Sequence, residues 1–148
     1  MDYGIVHSKA HKTEIIKVKP DVVLVKRYYY SGQLKFEGEY KQMPEVLRDE
    51  PVGITITCEE PFEFKTLPYT KEGISIWFHE NGQVFKKVYY RKGLEDGPVD
   101  IWHANGQLME CGEIDNGKRI DTWEYYTEQG RLYKKEHYHD NGSEEELL

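Results

Sequence analysis

Three observations predict an all-β repeat protein, folded as an elongated antiparallel meander of stacked hairpins. Gly82, Gly106 and Gly130 stand 24 residues apart, and self-similarity at a short fixed period marks one small unit stacked several times. Each glycine carries the same flanks: Phe78, Trp102 or Tyr126 four residues before it, and Val84, Leu108 or Leu132 two residues after it. Twelve tyrosines, three tryptophans and five phenylalanines sit in an otherwise polar chain of 148 residues. That supply suits aromatic cross-strand pairs better than a helical bundle, and the length fits one domain.

Residues 1–26 read as an N-terminal capping segment. Within them Ile15 to Val25 is strand-like but interrupted at Lys19-Pro20-Asp21, and Pro20, which cannot donate to a ladder, implies an edge or a turn. Residues 27–72 contain one divergent and one degenerate repeat. In the divergent copy Tyr28 takes the aromatic position, Gly32 the turn and Leu34 the aliphatic one. The degenerate copy is placed at Ile54 to Thr57 and Phe62 to Lys65, flanking a hairpin that has lost its glycine, with Met43 to Val52 as a loop or short helix.

Residues 73–142 hold three clear repeats. Asparagine or glutamine followed by glycine suits a tight turn whose last residue has positive φ. Two registers are open: a two-residue loop pairing Phe78 with Phe85, or a type I turn with a glycine bulge pairing Phe78 with Val84. The bulged register is expected, because it opposes both apolar columns in every copy: Tyr28/Leu34, Phe78/Val84, Trp102/Leu108 and Tyr126/Leu132. A second turn follows each returning strand, at Arg91 to Gly97, Asp115 to Asp121 and Asp140 to Gly142. Residues 143–148 read as a frayed acidic tail.

The formal charge of −7 opposes a sequence-independent nucleic-acid binder, which needs a basic excess to neutralise phosphates. It suits a basic partner. Cys58 and Cys111 lie far apart and outside any CxxC spacing, so neither a disulfide framework nor a zinc knuckle is indicated, and a reduced, cytoplasmic setting is expected. No stretch has the length and apolar continuity of a membrane-spanning helix.

The copies at Ile76 to Val84, Ile101 to Leu108 and Trp123 to Leu132 resemble the MORN-repeat variant, over about Gly73 to Gly142 and, less closely, Arg27 to Tyr40. The resemblance implies stacked β-hairpins. It also implies one of two functions: the YwqK-type antitoxin of a toxin–antitoxin pair, or a scaffold contacting membrane phospholipid. It brings no catalytic motif.

Residues between the paired columns face the other way. Trp77, Phe85, Ile101, Met109, Trp123, Tyr125 and Tyr133 are therefore the candidate partner-binding residues, an aromatic face with carboxylates steering a basic protein, such as a toxin, toward it. The basic cluster Lys86, Lys87, Arg91 and Lys92, with Lys134 and Lys135, is expected to pair with Glu110, Glu113, Glu124, Glu128 and Glu136 across strands rather than to bind lipid.

His137, His139 and Asp140, with His79 and His103 equivalent by the period, lack HxxxH or HExxH spacing. No metal, cofactor or catalytic residue is expected, and Cys111 reads as a buried thiol. The chain thus reads as a noncatalytic protein-binding module, antitoxin- or immunity-like, with homodimerisation through open sheet edges left possible.

Overall fold

The computed structural model describes residues 12–42, 55–59 and 69–148. Among them there is no helix; all eleven strands join one antiparallel sheet. The strands are β1 (Lys12–Lys19), β2 (Val22–Tyr28), β3 (Leu34–Gln42), β4 (Thr55–Glu59), β5 (Tyr69–Phe78), β6 (Val84–Arg91), β7 (Leu94–Trp102), β8 (Leu108–Asp115), β9 (Lys118–Tyr126), β10 (Leu132–His139) and β11 (Gly142–Leu147). Their spatial order is β11-β10-β9-β8-β7-β6-β5-β3-β2-β1-β4. Sequence neighbours pair throughout, except that β3 pairs directly with β5 and β4 lies outside β1.

Two turn chemistries alternate along the meander. At one end the loops are five residues long: His79 N–H donates to the Gln83 carbonyl and Gly82 N–H to the His79 carbonyl, and the same pair of bonds recurs at Tyr29/Gly32, His103/Gly106 and Thr127/Gly130. Gly32, Gly82, Gly106 and Gly130 all have φ between 81° and 87°, the left-handed region that a Cβ disfavours. At the other end, Lys92-Gly93 and Asn116-Gly117 have positive φ at both residues, as a two-residue type I′ hairpin requires.

The bulged register is the one the structure adopts. Tyr28 pairs with Leu34, Phe78 with Val84, Trp102 with Leu108 and Tyr126 with Leu132. One residue further from the turn, Arg27 pairs with Phe36, Trp77 with Lys86, Ile101 with Glu110 and Tyr125 with Lys134. Lys35, Phe85, Met109 and Tyr133 are thus the extra residues of four equivalent bulges.

The core, however, lies on the face opposite the Phe78/Val84 columns. A single row crosses the sheet through Ile15, Val25, Gly38, Ser75, Val88, Val99 and Gly112, with Trp123 packed over Gly112. Val25, Ser75 and Val88 are fully buried, and Val99 and Trp123 nearly so. Burying each valine stabilises the sheet by about 1.5–3 kcal/mol. A single layer achieves this by alternating size: glycine and serine let the flanking rings fold inward. A Cβ on Gly38 would stand 2.5 Å from Phe36 Cζ, and one on Gly112 would overlap the Trp123 indole.

Two expectations need correction. Thr55–Glu59 does not form a unit between the first copy and β5; it pairs with β1, from Lys12↔Glu59 to Ile16↔Thr55. The open edge of β1 offers an extended segment a ladder. Second, the last residues are not frayed. Gly142–Leu147 pairs with β10 from His139↔Gly142 to Lys134↔Leu147, helped by the Lys134–Glu145 ion pair at 3.4 Å. The N-terminal strands stand at the first-hairpin end of the meander: Pro20-Asp21 turns β1 into β2, and β2 pairs with β3. The expectations for Met43 to Val52 and Phe62 to Lys65 fall outside the described residues.

Candidate functional site on the inner face

Alongside the buried row, on the side of the five-residue turns, runs a second row made of rings and charges. Arg27, Phe36, Trp77, Lys86, Ile101, Glu110, Tyr125 and Lys134 are successive cross-strand partners over eight strands. Residues paired across an antiparallel ladder share a face, so cations and rings of this row meet at close range. Lys86 Nζ lies 5.4 Å from the Trp77 ring, and Lys134 Nζ 4.1 Å from that of Tyr125. Phe36 and Trp77 touch with centroids 5.0 Å apart.

On the other side of the buried row, Lys71, Glu95 and Arg119 recur at 24-residue spacing. Each reaches the preceding copy's row residue. Arg119 Nη2 meets Glu110 Oε1 at 2.5 Å, Lys86 Nζ meets Glu95 Oε1 at 2.8 Å, and Lys71 Nζ lies 5.4 Å from the Phe36 ring. Tyrosine hydroxyls extend the network: Tyr90 to Glu95 at 3.3 Å, Arg119 Nη1 to the Tyr125 oxygen at 2.8 Å, and Tyr125 to Glu136 at 2.9 Å. This column was not singled out from the sequence, although the period that revealed the turn glycines also holds Lys71, Glu95 and Arg119 in register.

The environments shift several groups. Burial, then the nearby carboxylate of Glu95, pushes Tyr90 well above the ordinary phenol range; for Tyr125 the causes are burial and the hydrogen bond to Glu136. Tyr28 is raised to about 12 by burial and its bond to Glu14, and Tyr126 to about 12 by its bond to Glu124 and by burial. Burial and then repulsion from Arg27 lower Lys71. The bond from Tyr125 leads the causes that lower Glu136.

The seven sequence-derived site residues separate by position. Trp77, Ile101 and Tyr125 lie in the row itself, half-buried. Phe85, Met109 and Tyr133 are bulge residues between the row and the turns, with Phe85 37 % and Tyr133 39 % exposed. Trp123 is 1 % exposed, a core residue whose Nε1–H donates to the Glu113 carbonyl at 3.1 Å. Six of the seven therefore form a band across the strands near the five-residue turns.

Four of the six residues of the basic cluster meet carboxylates: across strands, Lys86 meets Glu95 at 2.8 Å, Lys135 meets Glu124 at 3.1 Å, Arg91 meets Asp96 at 3.4 Å and Lys134 meets Glu145 at 3.4 Å, while Lys134 also meets Glu136 of its own strand at 3.6 Å.

The repeated His-x-Asn-Gly has a structural use. His79 Nε2 bonds the Trp102 carbonyl and His103 Nε2 the Tyr126 carbonyl, both at 2.9 Å; a carbonyl only accepts, so Nε2 carries the proton. Asn81 Nδ2 donates to the Ala104 carbonyl and Asn105 Nδ2 to that of Glu128. Tyr29 OH does the same to the Phe78 carbonyl at 2.7 Å. Each turn is thereby tied to the next. His137 meets Thr122 Oγ1 at 2.8 Å, and among the described residues no group of three metal-ligating side chains converges. Cys111 is a half-buried thiol, raised by burial and then by Glu124.

Residues 22–42 and 71–92 match the MORN repeat variant family. These stretches are the β2–β3 and β5–β6 hairpins, and β7–β8 and β9–β10 repeat their register without being matched themselves. The repeat suggests a binding or scaffold module. No curated protein matches the chain. Among solved structures, a porin-like protein from Bacteroides uniformis ATCC 8492 is similar at 13 % identity, with a TM-score of 0.31. The alignment covers 93 % of this chain, which spans 56 % of that protein.

Proposed function

We propose that the chain is a noncatalytic protein-binding module, in its most specific form an antitoxin- or immunity-like protein that neutralises a basic partner by covering it in the cytoplasm. The supporting observation is the band of Phe85, Met109 and Tyr133, presented on equivalent bulges of three successive hairpins and backed by Trp77, Ile101 and Tyr125. Exposed rings on a fixed scaffold are what an interface uses as anchors. The net charge of −7 would speed encounter with a cationic partner. The alternative, a scaffold on anionic phospholipid, draws less support, because Lys86, Arg91, Lys134 and Lys135 are engaged with carboxylates.

Affinity capture from the native host tests the reading. A partner bound by the wild type and by Leu94→Asp, at the opposite turns, should be lost from the double variant Phe85→Asp/Tyr133→Asp. For the antitoxin form, that partner should arrest growth when expressed alone and not when co-expressed with this chain. Equal capture by both variants would sink the proposed surface; a harmless partner would sink the antitoxin form.

A further inference from the structure

Every asparagine in the chain precedes a glycine: Asn81-Gly82, Asn105-Gly106, Asn116-Gly117 and Asn141-Gly142. The dipeptide suits a turn, and it also carries a chemistry of its own. Glycine has no Cβ to shield its backbone nitrogen, which can attack the side-chain carbonyl carbon of the asparagine before it. How readily a given pair reacts depends on how firmly the amide and the glycine N–H are held.

Three of the four pairs are anchored. Asn81 Nδ2 donates to the Ala104 carbonyl at 2.6 Å, its Oδ1 accepts from Gln83 N–H at 3.0 Å, and Gly82 N–H donates to the His79 carbonyl. Asn105 repeats this arrangement with the Glu128 carbonyl and Gln107 N–H, and Gly106 with the His103 carbonyl. Asn116 Nδ2 donates to Asp115, and Gly117 N–H to the Glu95 carbonyl at 2.8 Å. Ring closure at any of these must first break bonds that fix its turn.

Asn141 is different. Its side chain makes no hydrogen bond among the described residues, and it lines an open cleft of about 200 Å³ with His139, Gly142, Ser143 and Glu144, so water reaches it. Asp140-Asn141 is the two-residue turn between β10 and β11, and Gly142 stands in the last pair of that ladder, opposite His139. β11 pairs with β10 alone and all six of its residues are exposed. This end of the sheet opens more cheaply than its interior.

We propose that Asn141-Gly142 is a self-modification site, where the chain deamidates through a succinimide to isoaspartate and thereby detaches β11 from β10. The Gly142 nitrogen loses its proton to solvent and bonds to Asn141 Cγ; the Cγ–Nδ2 bond breaks, and the amide nitrogen takes up a proton and leaves as ammonia. Water then opens the ring. Cleavage between the ring nitrogen and Cγ gives aspartate, whereas cleavage between that nitrogen and the main-chain carbonyl carbon gives isoaspartate, whose backbone is longer by the Cβ methylene.

A two-residue turn has no slack for that methylene, because its length sets the register of the strands it joins. The new carboxylate also enters between Asp140 and Glu144. Besides its ladder, β11 is held by exposed contacts: Lys134 with Glu145 at 3.4 Å, Ser143 Oγ with Glu136 at 3.2 Å, and Leu148 N–H with the Tyr133 carbonyl at 2.9 Å. Such contacts are weak in water. Their loss uncovers the β10 edge as an open ladder. The site goes beyond the protein-binding reading and does not rest on it.

The test ages the full chain in mildly alkaline buffer and follows each asparagine by peptide mapping with mass spectrometry, an isoaspartyl methyltransferase counting the isoaspartate. Conversion at Asn141 is expected about tenfold or more faster than at Asn81 or Asn105. Hydrogen exchange of the β11 amides in the aged chain should rise to that of an unfolded segment, while β9 keeps its protection. Asn141→Gln, whose longer side chain closes a ring far more slowly, should keep β11 protected through the same ageing. Asn141→Asp, measured fresh, adds the charge without the methylene and should also keep β11 docked. Conversion at Asn141 no faster than at Asn81 and Asn105, unchanged β11 exchange in chains carrying isoaspartate, or release of β11 by Asn141→Asp alone would overturn the proposal.

Discussion

The first hairpin with β5 and the later hairpins from β7 to β10 share one backbone plan and carry different faces. Turn bonds, bulges and register repeat between them with little change. What diverges is the inner face. The N-terminal region packs Ile15, Val23, Val25, Phe36 and Tyr40 into one cluster, whereas the C-terminal cluster is Val88, Val99, Ile114 and Trp123; Trp77 packs against both. Beside the second cluster Lys86 meets Glu95 and Arg119 meets Glu110, whereas Lys71, beside the first, is ringed by Phe36, Trp77 and Tyr90. Repetition conserves what the backbone needs, because every turn must close and every ladder must pair. It leaves each face free to drift.

The largest expected break of this comparison is Trp123→Ala. Removing the ring over Gly112 should cost about 4 kcal/mol in denaturant unfolding, since the indole supplies the atoms nearest that glycine. Gly112→Ala attacks the same contact from below, and overlap with a rigid indole should cost about 2–3 kcal/mol. Gly38→Ala, which meets the Phe36 ring edge and the Ser75 hydroxyl, should cost less.

Charge removal should sharpen the contrast between the regions. Arg119→Met leaves Glu110, whose side chain is only 15 % exposed, without its partner. Solvent screening at Arg119, which is itself 35 % exposed, holds the expected loss to about 1 kcal/mol. Lys71→Met orphans no carboxylate and should change stability by less than about 0.5 kcal/mol, or raise it. Equal losses at the two positions would contradict this contrast. A similar loss of about 1 kcal/mol is expected for His103→Ala, which leaves the Tyr126 carbonyl without its side-chain donor.

The smallest effect is an opposed pair of pH trends. Tyr28 and Tyr126 are raised to about 12, so between pH 10 and that value the native chain keeps protons that the unfolded chain releases. Their contribution is fully present below pH 10 and is lost as pH rises through 12. Lys71 runs the other way. Held below 10.5, it penalises the native state at neutral pH, and the penalty fades as pH rises toward 10.5. Unfolding of wild type and Lys71→Met across pH 8–11 should show the wild type narrowing the gap with the variant as pH rises.

Much of the strand plan could be read from local signals. Gly82, Gly106 and Gly130 announced the turns because positive φ is a backbone requirement written in one residue. Phe78/Val84 and its equivalents announced the register because cross-strand pairs couple positions close in sequence. Edge assignments were not legible in the same way. Nothing local tells Thr55–Glu59 to pair with β1, because an open ladder accepts any extended segment that reaches it. The acidic run Ser143 to Leu148 looked unstructured for want of an apolar pattern, yet the Lys134 and His137 neighbours on β10 meet its carboxylates.

The chain by itself determined the unit: its 24-residue length, its two turns, and which aromatic and aliphatic residues oppose each other across the bulged loop. Those are fixed by sterics and hydrogen bonding within a few dozen residues. Tertiary structure decided which face is core, through the fit of Trp123 over Gly112 and of Phe36 beside Gly38. It also decided which charges meet, placing Arg119 on Glu110 but Lys71 among rings, because those partners become neighbours only once the hairpins stand side by side.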